Sequence, residues 1–263
     1  MFARKGLAAA PPAGPQDGYE WVDAHMGRYA QPGSDGFAQE LGNRLFDSAY
    51  HALREDRGTR IENLIAMLSS VGGFACLMPI LDALRDERRS PQDIGMAVVT
   101  GRDGHSYYLG DAPNRLLCES HLSLLSLVYG AAHQYGAAVS VQMIHDEMKI
   151  VASRLGQPEF LELDLPEEHR VDNPLNWVRV STPFVLRETG KHFSDIMSAK
   201  LKNLPEGMQV PPFIVHRIIG FAIQRAIDIG HDSLDPTMIA RIATGCAIRA
   251  AKLDPEWVAA GQS

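Results

Sequence analysis

From Ile61 to Leu84 the chain runs through one long apolar stretch with two adjacent glycines, Gly72 and Gly73, near its middle. Ile61, Leu64, Ile65 and Leu68 recur at helical spacing, and Phe74, Leu77, Met78, Leu81 and Leu84 do the same further on. Small residues lie between the two runs: Ser69, Ser70, Gly72, Gly73, Ala75 and Cys76. Each glycine inside a helix costs about 1 kcal/mol relative to alanine. A helix that keeps two of them usually admits another backbone closely, or bends there. Pro79 removes a backbone donor and crowds the preceding turn. The stretch therefore predicts a buried, kinked helix, or two short helices in succession, around which the rest of the chain packs. Gly72 and Gly73 have two readings. They permit close helix packing in a core, or they line a ligand pocket with bare backbone.

The sequence around this stretch is mainly helical in pattern. Phe37, Leu41, Leu45, Ala49 and Leu53 step by four and mark an amphipathic helix from about Gly36 to Asp56. Thr59 is a fair N-cap for the central stretch. Ser140 is placed to cap a helix carrying Ile144, Met148, Val151 and Leu155, ended by Gly156. Pro211 and Pro212 open an apolar helix from Phe213 to Ile229. Its polar residues, among them His216, Gly220 and Gln224, fall on one narrow stripe. Asp235-Pro236 and Asp254-Pro255 each combine an N-cap with proline at the first helical position.

The β signal is confined. Met96 to Thr100 and His105 to Leu109 flank Gly101-Arg-Asp-Gly104, a hairpin pattern. Phe160 to Leu163 and Trp177 to Ser181 alternate as half-buried strands would, and extend the hairpin into a small sheet. After the hairpin, Asp111 is a plausible N-cap for a helix running through Leu116, Leu124 and Val128 to about Tyr135. Phe184 to Leu204 reads as a weaker helix, or a strand followed by a helix, with poor boundaries. The fold class is thus α+β, mainly α-helical: a helical core with a β-hairpin or small antiparallel sheet. One main domain is expected from about residue 36 to 258. A flexible Ala/Pro/Gly-rich arm precedes it (1–35), with Tyr19, Trp21 and Val22 as docking points, and a short disordered tail follows (259–263).

Composition narrows the function classes. The formal charge of −7 and pI of about 5.8 argue against general nucleic-acid or anionic-membrane binding. No stretch reaches about 18 uninterrupted apolar residues, so no membrane span is expected. Cys76, Cys118 and Cys246 lie far apart without a C-x-x-C pair, which suits buried thiols in a reducing, cytoplasmic setting. No phosphate-binding glycine motif, H-E-x-x-H or G-x-S-x-G is present, so no cofactor and no metal are signalled.

Two weak local candidates remain. Asp111, Asn114 and Arg115 bring a carboxylate, an amide and a guanidinium to a strand-to-helix turn, where free backbone donors suit an anion. His216 lies on an otherwise buried helix, where a proton donor for a cleft is conceivable. The broad apolar faces of Leu116 to Tyr135 and Phe213 to Ile229 suggest a non-enzymatic protein that works by self-association, as a homo-oligomer, or by partner binding. The alternative is a small-molecule binder or enzyme with a pocket between the helices and the small sheet, taking Gly72, Gly73, Asp111, Asn114, Arg115 and His216 as its lining.

Overall fold

The computed structural model describes residues 17–28, 34–56, 58–200 and 209–260. Most of the chain expected to form an N-terminal arm, and residues 261–263 of the expected tail, lie outside them. The described chain is mainly α-helical with one two-stranded antiparallel sheet.

Helix α3 (Ile61–Asp86) is the centre. It is one continuous helix that keeps Pro79, not two short ones. Burial is the physical reason. By length and composition α3 could cross a membrane, with a mean hydropathy of 2.1 over its most apolar window, yet 89% of that window is buried inside the molecule. Helices α8 (Val215–Gly230) and α9 (Pro236–Ala250) pack against it, and α2 (Ser34–Ala52) lies on the far side of α8. At Gly73, an added Cβ would sit 2.8 Å from the carbonyl carbon of Ala247, so only glycine lets α3 and α9 touch main chain to main chain. At Gly72 the space is taken by Ile219 of α8 and by Leu124, each 3.0 Å from an added Cβ. The doubled glycine is therefore a packing device.

The hairpin forms as its sequence predicts. Strand β1 (Ala97–Thr100) pairs with β2 (Ser106–Leu109) in the register Val98 to Tyr108 and Val99 to Tyr107. It stays two-stranded. Phe160 belongs to a 3₁₀ turn (Pro158–Leu161), and Trp177 to Ser181 belong to α7 (Pro174–Lys200). The overlooked signal is Asn173-Pro174. The Asn173 side chain accepts from the Asn176 amide at 2.9 Å, and Pro174 fills the first helical position, the same start as at Asp235-Pro236. Alternation over five residues is too short to outweigh that cap.

Three other starts differ from expectation. Thr59 does not cap α3. Its hydroxyl donates to the Tyr50 carbonyl at 2.8 Å, and Arg60 holds the cap position. Ser140 precedes α6 (Val141–Ser153) without a side-chain capping bond. The helix expected from Asp111 to Tyr135 is broken into a single turn, α4 (Asp111–Asn114), a π segment (Arg115–Glu119) and α5 (Leu124–Gln134). Ser123 restarts the helix by accepting from the Ser126 amide.

Within the expected arm, Gly18–Gly27 forms helix α1, begun by the Asp17 cap, with Trp21 and Val22 buried. Two groups hold it. Glu87, just past α3, accepts from Trp21 Nε1 at 3.1 Å and meets His25 Nε2 at 2.9 Å. The His25 and Trp21 rings then pack on Phe213, in the 3₁₀ turn before α8. Apolar side chains placed one turn apart on a short helix give it enough burial to dock. The last helix, α10 (Pro255–Ala259), is tied to α7 by Arg179 Nη2, which donates to the Trp257 carbonyl at 2.7 Å.

Candidate functional site

Two helices line a cleft with matched stripes. From α3 come Val71, Phe74, Ala75, Met78, Pro79 and Asp82, and from α7 come Thr182, Leu186, Thr189, Gly190 and Phe193. Each set follows helical spacing over twelve positions, about 16 Å of helix. The segment from Gln209 to Val215 closes one side. The cleft holds about 600 Å³. Small residues are part of both walls: Ala75 has a single methyl group, and an added Cβ at Gly190 would meet nothing within 4 Å. Phe193 is braced from behind by Phe37, edge to face at 5.6 Å. The wall at Gln209 to Val215 is braced through Phe213 by α1.

The polar groups in the cleft are few. Thr189 back-bonds to the Val185 carbonyl at 2.7 Å and is satisfied. Thr182, two turns earlier, has a buried hydroxyl with no hydrogen-bond partner. Asp82 is the one ionisable side chain among the described lining residues, and it sits at the exposed rim paired with Arg85 at 3.1 Å.

The residues singled out from sequence do not converge here. Gly72 and Gly73 are filled by other helices, as described. The pocket expected between the helices and the small sheet is instead between α3 and α7. Asp111 is exposed and does not cap, because Gly110, at φ 133°, holds the N-cap position. Arg115 is occupied. It grips Asp23 of α1 through two hydrogen bonds of 2.7 and 2.8 Å and lies over the Tyr19 ring. Asn114 accepts from Lys252 Nζ at 3.2 Å. His216 is fully buried on α8, and neither ring nitrogen has a partner. Burial, reinforced by Arg217, pulls its pKa down to about 3, so the ring is neutral and cannot serve as an acid near pH 7.

Other reactive groups are held quiet. Burial pushes the Cys76 thiol well up and those of Cys118 and Cys246 up to about 12, which suppresses the nucleophilic thiolate. Lys252 is buried, and desolvation lowers its pKa to about 8 despite the acidic groups around it. No sequence signal marks that lysine, since it falls just past α9 in an ordinary helix end. Ser48 on α2 meets His192 Nε2 at 3.0 Å and Glu188 at 3.4 Å, both on α7. These three do not form a hydrolytic triad. The carboxylate bonds the serine and not the histidine, and Ser48 lies inside a helix whose amides are already bonded, leaving no oxyanion donors. Among the described residues, no group of three or more His, Cys, Asp or Glu side chains is placed to hold a metal ion. No protein-family model, curated protein or solved structure matches the chain significantly.

Proposed function

We propose that this protein binds a small, largely apolar molecule in the cleft between α3 and α7, and that it acts by binding and not by chemistry. The supporting observation is the cleft itself. Its 600 Å³ lies within the range of about 300–1,000 Å³ usual for small-molecule sites, and its lining is hydrophobic with a few polar groups. Both long helices offer their stripes to it, and Gly190 in its wall leaves open space where a side chain would stand. Among the described residues, no ionisable side chain lines its interior, and Asp82 stands at the rim.

Self-association has less support. The apolar faces from Leu116 to Tyr135 and Phe213 to Ile229, on which that expectation rests, are turned inward. Leu124, Leu125, Val128, Ile218, Ile219 and Ile223 are all completely buried within the single chain.

The test uses Gly190. Because an added Cβ there meets open space at ordinary helical dihedrals, Gly190→Leu fills the cleft without disturbing the backbone. A panel of neutral apolar compounds is screened by thermal shift against both proteins. A ligand at 100 times its Kd adds about 2.7 kcal/mol of stability to the wild type, and the Gly190→Leu protein shows no shift. Hits that stabilise both proteins equally, or no hit at all, would remove the reading.

A further inference from the structure

We infer that α1 is held to the body by a proton-dependent clasp between His25 and Glu87, so that its docking strengthens on the acid side and loosens as the pH rises. The clasp stands on α1 and its partners alone; only its bearing on the cleft rests on the binding reading above.

Both nitrogens of the His25 ring face acceptors. Nδ1 lies 2.8 Å from the Trp21 carbonyl oxygen, and Nε2 lies 2.9 Å from Glu87 Oε1. A neutral imidazole has one N–H and one lone pair. It satisfies one of these contacts and turns a lone pair on the other. The second Glu87 oxygen is also engaged as an acceptor, from Trp21 Nε1 at 3.1 Å. The contacts are complete with an imidazolium against a carboxylate. Wherever the proton rests between Nε2 and Oε1, the pair holds one more than a neutral ring and a carboxylate would.

Burial couples that proton to docking. His25 is 5% exposed in the fold, and its ring packs on Phe213 at 5.2 Å. Once α1 leaves the body, the ring stands in water and sheds its proton without losing a contact. The docked form therefore binds the proton more tightly than the undocked form. Docking has its full support on the acid side and loses it as the ring gives the proton up. The Glu87 side chain is 32% exposed, which places the loss at the low end for a charge-assisted bond, about ten-fold in the docking equilibrium.

The other charged groups around α1, among the described residues, leave this direction unchanged. Arg89 Nη1 stands 3.9 Å from Glu87 and shares its carboxylate. Arg85 pairs with Asp82, and Asp86 and Arg88 are exposed. Arg115 and Glu119 meet α1 at Asp23 and Tyr19. Asp93 and Asp111 belong to the segments beside Gly18, about 10 Å along the helix from His25. The turn Pro212–Ile214, against which the ring packs, has no ionisable side chain. Through Phe213 in that turn, each opening of α1 removes the brace from one wall of the cleft.

The experiment uses the full 15N-labelled chain from pH 5 to 9. Ring 15N shifts of His25 report which nitrogens carry protons, and amide hydrogen exchange gives protection factors in the same samples. Both nitrogens are expected to be protonated on the acid side. The protection of the Val22 and His25 amides should then fall about ten-fold as the ring loses its proton, without a matching fall at Leu68 in α3. In Glu87→Gln the amide group can donate to a neutral Nε2 while its oxygen accepts from Trp21, so α1 should stay docked and the pH dependence should vanish. The Trp21 indole N–H shift checks that docking. A docked α1 whose ring shows a bare nitrogen at pH 6 would overturn the clasp. So would flat protection in the wild type, a slope that survives in Glu87→Gln, or an α1 undocked in that variant at every pH. The Ile214 amide, bonded to the Pro211 carbonyl at 3.1 Å, decides the bearing on the cleft. Protection at Ile214 that falls with α1 supports it, and protection that holds would overturn that link while the clasp stands. The ligand screen with Gly190→Leu tests the binding reading separately.

Discussion

His216 shows how one buried side chain sets the acid response of the molecule. Its pKa is 6.5 in an exposed chain and about 3 in the fold, through burial first and Arg217 second. Between those values the unfolded chain takes up a proton that the folded one refuses. Stability is therefore highest above pH 6.5 and falls as the pH drops towards 3, by about 1.4 kcal/mol per pH unit from this group. Replacing both the charge demand and the unpaired nitrogens, His216→Leu should flatten that slope. Urea unfolding at pH 6.5 and 5 compares the two proteins, and parallel slopes would show that the ring is not the group responsible. Arg249 is the contrasting buried cation, because all three of its guanidinium nitrogens donate. Its guanidinium donates to the carbonyls of Phe160, Gly245 and Glu162 at 2.8 to 2.9 Å and pairs with Glu147. Arg249→Met leaves those acceptors and the Glu147 carboxylate without their partner, and should cost about 3 kcal/mol in denaturant unfolding. That loss should exceed the cost of Glu147→Gln.

At the scale of helices, glycine has opposite roles at two places, and the same substitution should give opposite signs. Gly73→Ala drives a methyl group into the Ala247 main chain. Two helix backbones must separate, so destabilisation of about 1–3 kcal/mol or more is expected. Gly190→Ala meets open space in α7 and should stabilise by about 0.5–1 kcal/mol through backbone entropy. Thermal unfolding of both variants decides it, and a like sign for the pair would contradict the packing described. The amino-acid pattern separates these cases only in part. Gly72-Gly73 sits within a dense apolar run, and the close approach is legible there. Gly190 is bordered by Thr189 and Lys191 in a segment with weak periodicity, so its place in a cleft wall is invisible along the chain. Capping chemistry was likewise readable at Asp235-Pro236 and overlooked at Asn173-Pro174, where short alternation imitates a strand. The cost was the first half of α7, and with it the part of the wall that carries Thr182.

For the molecule as a whole, the hairpin, the central helix, the C-terminal helix pair and the α+β class all follow from local pattern. Apolar spacing, turn residues and caps act over a few positions, and they specify elements without knowledge of their neighbours. The candidate site was not legible in the same way. Its residues come from two helices separated by about a hundred positions and from the entry to α8, and none belongs to a motif with a fixed spacing. The turn at Asp111 to Arg115 looked chemically promising because its groups are adjacent in sequence. In three dimensions Arg115 is engaged by Asp23 and Asn114 by Lys252, which leaves the turn structural. The sequence by itself determined the central helix, the C-terminal helix pair, where the hairpin turns, and that the doubled glycine lies in the core. Only the tertiary structure decided that α3 and α7 stand apart over a cleft, because which distant positions come to line one space is not written in the spacing of either helix.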